Sequence, residues 1–404
     1  MVGQGGASFG SASLFLLAFL TSAEVSVAAR PPAPAGRVDL RKYFQHPEAS
    51  PDRAALKKRL SRLSVSKLLS LLRGIEPLGP RPAGLSRFET PEGAYLVIAP
   101  KGYTPKKSYP LHIELHGHGS AQTGHTACER YWQGEPAAAG ILLACPDLRD
   151  RWTTPRAERL LIATYKDVQQ RYNVATHRVT LGGFSGGGIG TWMMGPEYPD
   201  FFAALVPRAG IPPRADEVMA NLNGLPVYLV HGRGDPTIPV SNSRRAAEVM
   251  KRLGVEHIYR EEAGGHEFFG RLNTAIVRWL LTKSRPSRRA FRYRGRLGGE
   301  RRIVHFLELR GTGVVTVNAR IEKRRRVVLS FDPPGVATEV RLHLNRKLVD
   351  MARKNVVVEI KGRGTRTYPL KETVAEVLDS YDVTRDLRRV YTAGVTIRLS
   401  GKSP

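Results

Sequence analysis

From residue 94 onward, short apolar runs alternate with stretches of helical spacing. The runs lie near 94–98, 111–116, 141–145, 177–182, 202–207, 225–231 and 255–260, each bounded by turn residues. Such runs read as buried strands. Helices are expected near 125–139, 155–172, 186–195, 239–253 and 267–282. This alternation predicts an α/β fold: a doubly wound, mostly parallel sheet with helices on both faces. After Ser284 the pattern changes. Ile303–Leu307, Val314–Asn318, Val327–Phe331, Val340–Leu344, Val356–Ile360 and Val395–Leu399 are short and partly alternating. They predict a smaller antiparallel β-domain.

Upstream, residues 37–75 are charged and leucine-bearing. Ser50-Pro51-Asp52 starts one helix and Ser64-Val65-Ser66 another, with Leu68, Leu69, Leu71 and Leu72 on one side. This segment is expected to pack on the α/β domain. Proline and glycine from Pro77 to Gly84 mark a boundary. The expected division is 1–29 signal peptide, 30–90 linker and helical segment, 91–284 α/β domain, 285–404 basic β-rich domain. Ala12–Leu20 is an apolar core too short to span a bilayer, and Val27-Ala28-Ala29 supplies small residues for cleavage. Both fit a secreted or periplasmic location. Residues 1–11 lack the lysine or arginine of a usual signal peptide. No other segment is long and apolar enough to cross a membrane.

The 404 residues carry a net charge of +27. After residue 284, 28 Lys and Arg face 12 Asp and Glu, so more than half of the surplus lies in the last part of the chain. Arginine pairs bidentately with carboxylate, sulfate and phosphate. One reading is a module that holds an anionic polysaccharide or surface; the other is a solvated face. Nucleic acid is not expected, because neither zinc-finger spacing nor an RNP-like aromatic pattern accompanies the charge.

The chemistry concentrates at Gly183-Phe184-Ser185-Gly186-Gly187, after the strand-like Arg178–Leu181 and before a helical run. A serine between glycines at a strand-to-helix turn matches the nucleophile elbow G-x-S-x-G. Two more reactive residues follow, each just past a strand's end: Asp235 in Gly234-Asp235-Pro236 and His266 in Gly265-His266-Glu267. The order Ser, Asp, His differs from those of chymotrypsin and subtilisin. Open α/β sheets gather their sites at the carboxyl ends of strands.

These pieces, with Leu115-His116-Gly117-His118-Gly119 and His231-Gly232-Arg233-Gly234-Asp235-Pro236, resemble the α/β-hydrolase superfamily. Within it the chain is similar to secreted carboxylesterases and dienelactone-hydrolase-like proteins, though those hydrolases proper carry cysteine where this chain has Ser185. The resemblance runs through roughly residues 94–282. It implies a serine hydrolase of carboxylic esters, with Ser185 as nucleophile, His266 as base and Asp235 as its orienter. No cofactor is implied. The oxyanion donors would be the N–H of Gly186 and that of His118 or Gly117. Small-molecule or polymeric esters are the expected substrates. A prolyl-oligopeptidase-like serine peptidase and a non-catalytic binding protein are the alternatives. The C-terminal part resembles a small β-module appended to such enzymes.

Other residue types leave choices open. His112, His116, His118 and His125 crowd one region, but structural zinc needs three or four ligands, so no metal is expected. Trp132, Trp152 and Trp192 are expected near the site, either as a substrate-stacking rim or as core. Cys128 and Cys145 are either a disulfide or two buried thiols. A bridge would suit an exported protein.

Overall fold

The computed structural model describes residues 35–46, 49–75, 81–119 and 121–399. The expected signal peptide, the linker residues 30–34 and the first half of the boundary, 77–80, lie outside the described residues.

The central sheet holds β1 (Gly84–Thr90), β2 (Gly93–Ala99), β3 (Tyr109–Leu115), β4 (Leu142–Pro146), β5 (Val174–Phe184), β6 (Ala204–Arg208), β7 (Val227–Gly232) and β8 (His257–Glu262). Their spatial order is β1-β2-β4-β3-β5-β6-β7-β8. β2 runs antiparallel to both its neighbours, β1 and β4, at one edge, and β3 through β8 are parallel. The parallel strands are apolar throughout because helices cover both faces; β4, β6 and β7 are buried at every position. β1, absent from the sequence expectation, is an edge strand whose residues are only half-buried or exposed, which leaves it no continuous apolar run.

The N-terminal helices are α1 (Ala35–Gln45), α2 (Pro51–Leu60) and α3 (Val65–Arg73). Those following the first strands are α4 (Glu135–Ala138), α5 (Pro155–Arg171), α6 (Gly186–Glu197), α7 (Asp216–Met219), α8 (Ser241–Arg252) and α9 (Asn273–Leu281). α5 begins where Thr154 accepts the N–H of Ala157 and Pro155 occupies the first turn. It buries Ala157, Leu160, Leu161, Thr164, Tyr165 and Val168, the stripe expected at a period of 3.6. The helix expected over 125–139 is broken into a π-helical turn, Thr126–Tyr131, and α4. Gln133 and Gly134 interrupt it with left-handed backbone at φ 49° and 80°. The helix expected from 267 begins at Asn273, because the chain before it forms the loop that carries His266.

The second sheet contains β9 (Ala290–Gly298), β10 (Arg302–Val304), β11 (Leu307–Glu322), β12 (Arg326–Asp332), β13 (Ala337–Leu344), β14 (Asn355–Ile360), β15 (Gly364–Pro369) and β16 (Ala393–Arg398). It is antiparallel except for the β12–β14 pair. One helix, α10 (Val374–Thr384), interrupts it. The N-terminal helices do not take the α/β domain as their main partner. Leu40, Phe44, Leu56, Leu60, Leu68 and Leu72 share one apolar cluster with Val374, Val377 and Leu378 of α10. Arg53–Asp382 (2.6 Å) and Lys57–Asp379 (2.9 Å) flank that contact. Phe44, Leu72 and Ile75 do line a cavity together with Gln169, Tyr172 and Val174 of the α/β domain, so the expected contact is present but secondary: sequence shows which face of a helix is apolar, not which distant element covers most of it.

Cys128 and Cys145 form a disulfide that ties the π-helical turn to β4, with Cα atoms 5.8 Å apart. Among the described residues, no helix is long and apolar enough to cross a membrane.

Candidate active site

The turn between β5 and α6 is built by close approach. Ser185 sits at φ 55°, ψ −116°, a conformation costly for a residue with a Cβ. Its N–H donates to Arg208 O at 3.0 Å, and its own carbonyl accepts from Ile189 N–H at 2.9 Å. A Cβ on Gly183 would lie 2.3 Å from the Gly187 backbone, and one on Gly187 would lie 2.0 Å from Leu115 O. Both positions therefore exclude any side chain. The result lifts the serine oxygen above the sheet at the positive end of α6.

Asp235 follows β7. Its Oδ1 accepts the N–H groups of Thr237 and Ile238, each at 2.8 Å. Its Oδ2 accepts from His266 Nδ1 at 2.7 Å. His266 Nε2 lies 2.8 Å from Ser185 Oγ. Burial pushes the Asp235 carboxyl up, but hydrogen bonds from Ile238, His266 and Thr237 outweigh it and hold its pKa below the ordinary value. An ionised Asp235 makes Nδ1 the protonated nitrogen, which leaves Nε2 free to accept from the serine hydroxyl. Asp147 and Asp150 instead accept backbone N–H groups of Gly124 and Arg151. Glu267 folds over Gly264 and is exposed.

Sequence reasoning missed His231, buried at the end of β7. Its Nδ1 pairs with Ser243 Oγ at 2.6 Å and its Nε2 with Ile238 O at 2.9 Å, 3.2 Å from Asp235 Oδ2. It braces the turn that presents the carboxylate.

The loop after β3 faces the elbow. His116 donates from Nδ1 to Gly117 O at 2.7 Å and accepts Leu148 N–H at Nε2 at 3.1 Å. Burial lowers its pKa, so the ring is a neutral brace. With both nitrogens engaged, it is no metal ligand. Among the described residues, no cluster of three or more His, Cys, Asp or Glu could hold a metal ion. Gly117 N–H is directed at Tyr131 Oη, 3.4 Å away. The N–H groups of His118 and Gly186 make no hydrogen bond among the described residues. The His118 ring packs over Gly186, where an added Cβ would come within 2.6 Å of it. Burial and nearby Arg151 lower the His118 pKa. A cavity of about 580 Å³ opens here, lined by the 116–119 loop, Gln122 and the 148–151 segment.

The three tryptophans do not form a rim. Trp132, Trp152 and Trp192 are 0%, 1% and 0% exposed. Trp152 donates from its indole to His116 O at 2.8 Å, bracing the same loop from behind. Trp132 packs against a buried polar network that sequence reasoning also missed. Arg208, at the end of β6, stacks on Trp132 at 4.5 Å and on Phe268 at 3.9 Å. It reaches Glu114 and Asn273, both at 3.4 Å. Glu114 in turn meets His112 at 2.9 Å. Burial draws the guanidinium down to about 10, against the raising pull of Glu114. The signal was present: an arginine and a glutamate inside otherwise apolar strands.

The phospholipase/carboxylesterase family model matches residues 151–276, the span that holds Ser185, Asp235 and His266. No curated protein matches the chain. Among solved structures, a thermostable esterase is 24% identical with a TM-score of 0.42, covering 50% of this chain and 63% of its own. This chain thus spans less than two thirds of that esterase. FphF of Staphylococcus aureus, a fluorophosphonate-binding serine hydrolase, is 16% identical with a TM-score of 0.44, covering 50% of this chain and 100% of its own. A ferulic acid esterase of Anaeromyces mucronatus is 17% identical with a TM-score of 0.39, covering 52% and 93%. Residues 151–276 are thus similar to phospholipases and carboxylesterases, and the strand order and the elbow are those of an α/β-hydrolase-type fold.

Proposed function

We propose that the protein is a serine hydrolase that cleaves carboxylic esters. One observation carries this reading: the continuous relay from Asp235 Oδ2 to His266 (2.7 Å) and from His266 to Ser185 Oγ (2.8 Å). Ser185 Oγ attacks the ester carbonyl and gives its proton to His266 Nε2. The oxyanion is met by the N–H groups of Gly186 and His118, each worth about 3–4 kcal/mol by deletion. The intermediate collapses, the C–O bond to the alcohol breaks, and His266 returns the proton to the leaving oxygen. Water then attacks the acyl-serine, losing its proton to His266; the acyl–Oγ bond breaks, His266 returns the proton to Ser185 Oγ, and the acid departs.

The open cavity beside His118 favours acyl groups on polysaccharides, or polyester-like chains. Export is part of the same proposal, supported by the apolar Ala12–Leu20 stretch and by the Cys128–Cys145 bridge, which suits an oxidising compartment. The test is labelling with a fluorophosphonate probe, followed by turnover of p-nitrophenyl esters, acetylated xylan, feruloyl sugars and peptide amides. Labelling abolished by Ser185→Ala, with ester turnover exceeding amide turnover, is the expected result. A folded protein that takes no label refutes it, and preference for amides replaces the esterase with a peptidase.

A further inference from the structure

The loop after β3 is held by its peptide planes, and Tyr131 supplies one of the ties. A trans peptide is planar, with its N–H and C=O pointing opposite ways. In the peptide joining His116 to Gly117, the carbonyl accepts the Trp152 indole N–H at 2.8 Å and the N–H is aimed at Tyr131 Oη at 3.4 Å. In the next peptide, the Gly117 carbonyl accepts from His116 Nδ1 at 2.7 Å, so the His118 N–H points the other way, where it has no partner among the described residues. Three of the four poles are thus pinned and the fourth is free. Gly117 lies against the nucleophile: a Cβ built on it would stand 3.5 Å from Ser185 Cβ and 3.4 Å from Tyr131 Oη. Glycine turns easily about φ and ψ, so this orientation depends on the ties. Tyr131 is itself fixed. It is buried, its hydroxyl donates to Gln122 Oε1 and its carbonyl accepts from Asn273 Nδ2 at 2.8 Å. Its ring stacks on Phe268, two residues beyond His266, with centroids 4.4 Å apart, and meets Phe184 edge-on at 5.6 Å. Burial pushes the phenol up to about 12, so it stays protonated at neutral pH. A lone pair receives the Gly117 N–H, and the proton is spent on Gln122.

We propose that Tyr131 is a positioning residue of the oxyanion site, its hydroxyl holding the Gly117 amide aside so that the His118 N–H meets the substrate carbonyl. This rests on the serine-hydrolase reading. The tie is long and therefore weak, so it acts on direction more than on stability. With the hydroxyl removed, the Gly117 N–H has no acceptor, the 116–117 peptide is free to turn, and the His118 N–H loses its aim. An oxyanion donor gives its full effect only when it is fixed beforehand at the place where charge develops. Through Phe268, Tyr131 also joins the donor loop to the loop that carries His266, so both share one anchor.

Tyr131→Phe in the full chain tests this, because it keeps the ring and its stack on Phe268 and removes only the hydroxyl. The control is Tyr103→Phe, which removes a hydroxyl that accepts the Asn173 N–H at 2.8 Å, near the opposite end of β3. Both variants are assayed with p-nitrophenyl acetate and with its thionoester analogue, in which sulfur, a poor hydrogen-bond acceptor, replaces the carbonyl oxygen. For Tyr131→Phe, kcat on the oxygen ester should fall about 10- to 100-fold with KM within about twofold of the wild type. The ratio of oxygen-ester to thionoester turnover should fall at least about fivefold, because the thionoester gains little from a well-aimed donor. Tyr103→Phe should leave that ratio unchanged. A general loss of structure lowers both rates alike, so an unchanged ratio in Tyr131→Phe overturns the proposal whatever happens to kcat. An equal fall of the ratio in both variants overturns it as well. A wild type that takes no fluorophosphonate label and turns over neither ester is a separate failure: it removes the hydrolase reading, and this inference falls with it.

Discussion

Asp235→Asn isolates what the carboxylate contributes to the relay. The amide oxygen must occupy the place of Oδ1, because two backbone N–H groups, of Thr237 and Ile238, point there at 2.8 Å. The opposite orientation would set the amide NH₂ against both donors. The NH₂ group is thereby forced onto His266 Nδ1, where the carboxylate now accepts at 2.7 Å. Nδ1 must then be the unprotonated nitrogen, and Nε2 carries its proton toward Ser185 Oγ. The ring becomes a donor where a base is needed. His231 offers no rescue, because its Nε2 already pairs with Ile238 O at 2.9 Å. The same exchange in the serine-protease triad lowers kcat about 10⁴-fold, or about 5 kcal/mol of barrier. A loss of that order is expected here in the hydrolysis of a p-nitrophenyl ester, with KM nearly unchanged. Both backbone bonds survive, so the melting temperature should stay within a few degrees of the wild type, as read by circular dichroism. A variant that melts normally and keeps more than a tenth of wild-type kcat would refute the tautomer argument.

Two further outcomes follow from the geometry. Gly187→Ala sets a methyl group 2.0 Å from Leu115 O, a backbone atom that cannot turn aside; destabilisation above about 3 kcal/mol is expected in chemical denaturation, and a near-neutral change would mean the elbow is looser than described. In the C-terminal part, burial works to lower His343, but Glu308 and Glu376, held at its two ring nitrogens, outweigh it and raise its pKa above the ordinary 6.5, while the histidine helps hold both carboxyls below theirs. The histidine's contribution is full below pH 6.5 and is lost as pH rises through its raised value; the carboxylates' contribution is full above their ordinary values and is lost as pH falls through the lowered ones. Thermal melts across pH should therefore peak on the mildly acidic side, and His343→Gln should flatten the alkaline limb; an unchanged limb would sink the assignment.

The elbow was legible because its chemistry constrains the backbone: the contacts at Gly183 and Gly187 admit no other residue, so the glycines are visible in the sequence. Asp235 and His266 were legible from their position just past strand ends. The tryptophans stayed open between rim and core because an aromatic ring carries the same letter whether it stacks on a ligand or on Arg208, and only packing separates the two. β9 was missed because Arg292, Arg294 and Arg296 alternate along it, so the strand registers as charge rather than as a period of two. β15 is exposed along most of its length and has no apolar run to find. α10 carries three valines and two aspartates among its 11 residues, weak helix formers that tertiary contact with the N-terminal helices overrides.

That contact also sets an order of events during translation. The leucine face of α1–α3 leaves the ribosome early, yet the valines and leucine of α10 that cover it lie some 300 residues downstream. At ordinary elongation rates the wait is on the order of tens of seconds. Through that interval a sticky helical trio must be shielded by a chaperone or by transient self-association, so a shortened gene ending before α10 should yield aggregates even though the hydrolytic sheet is complete.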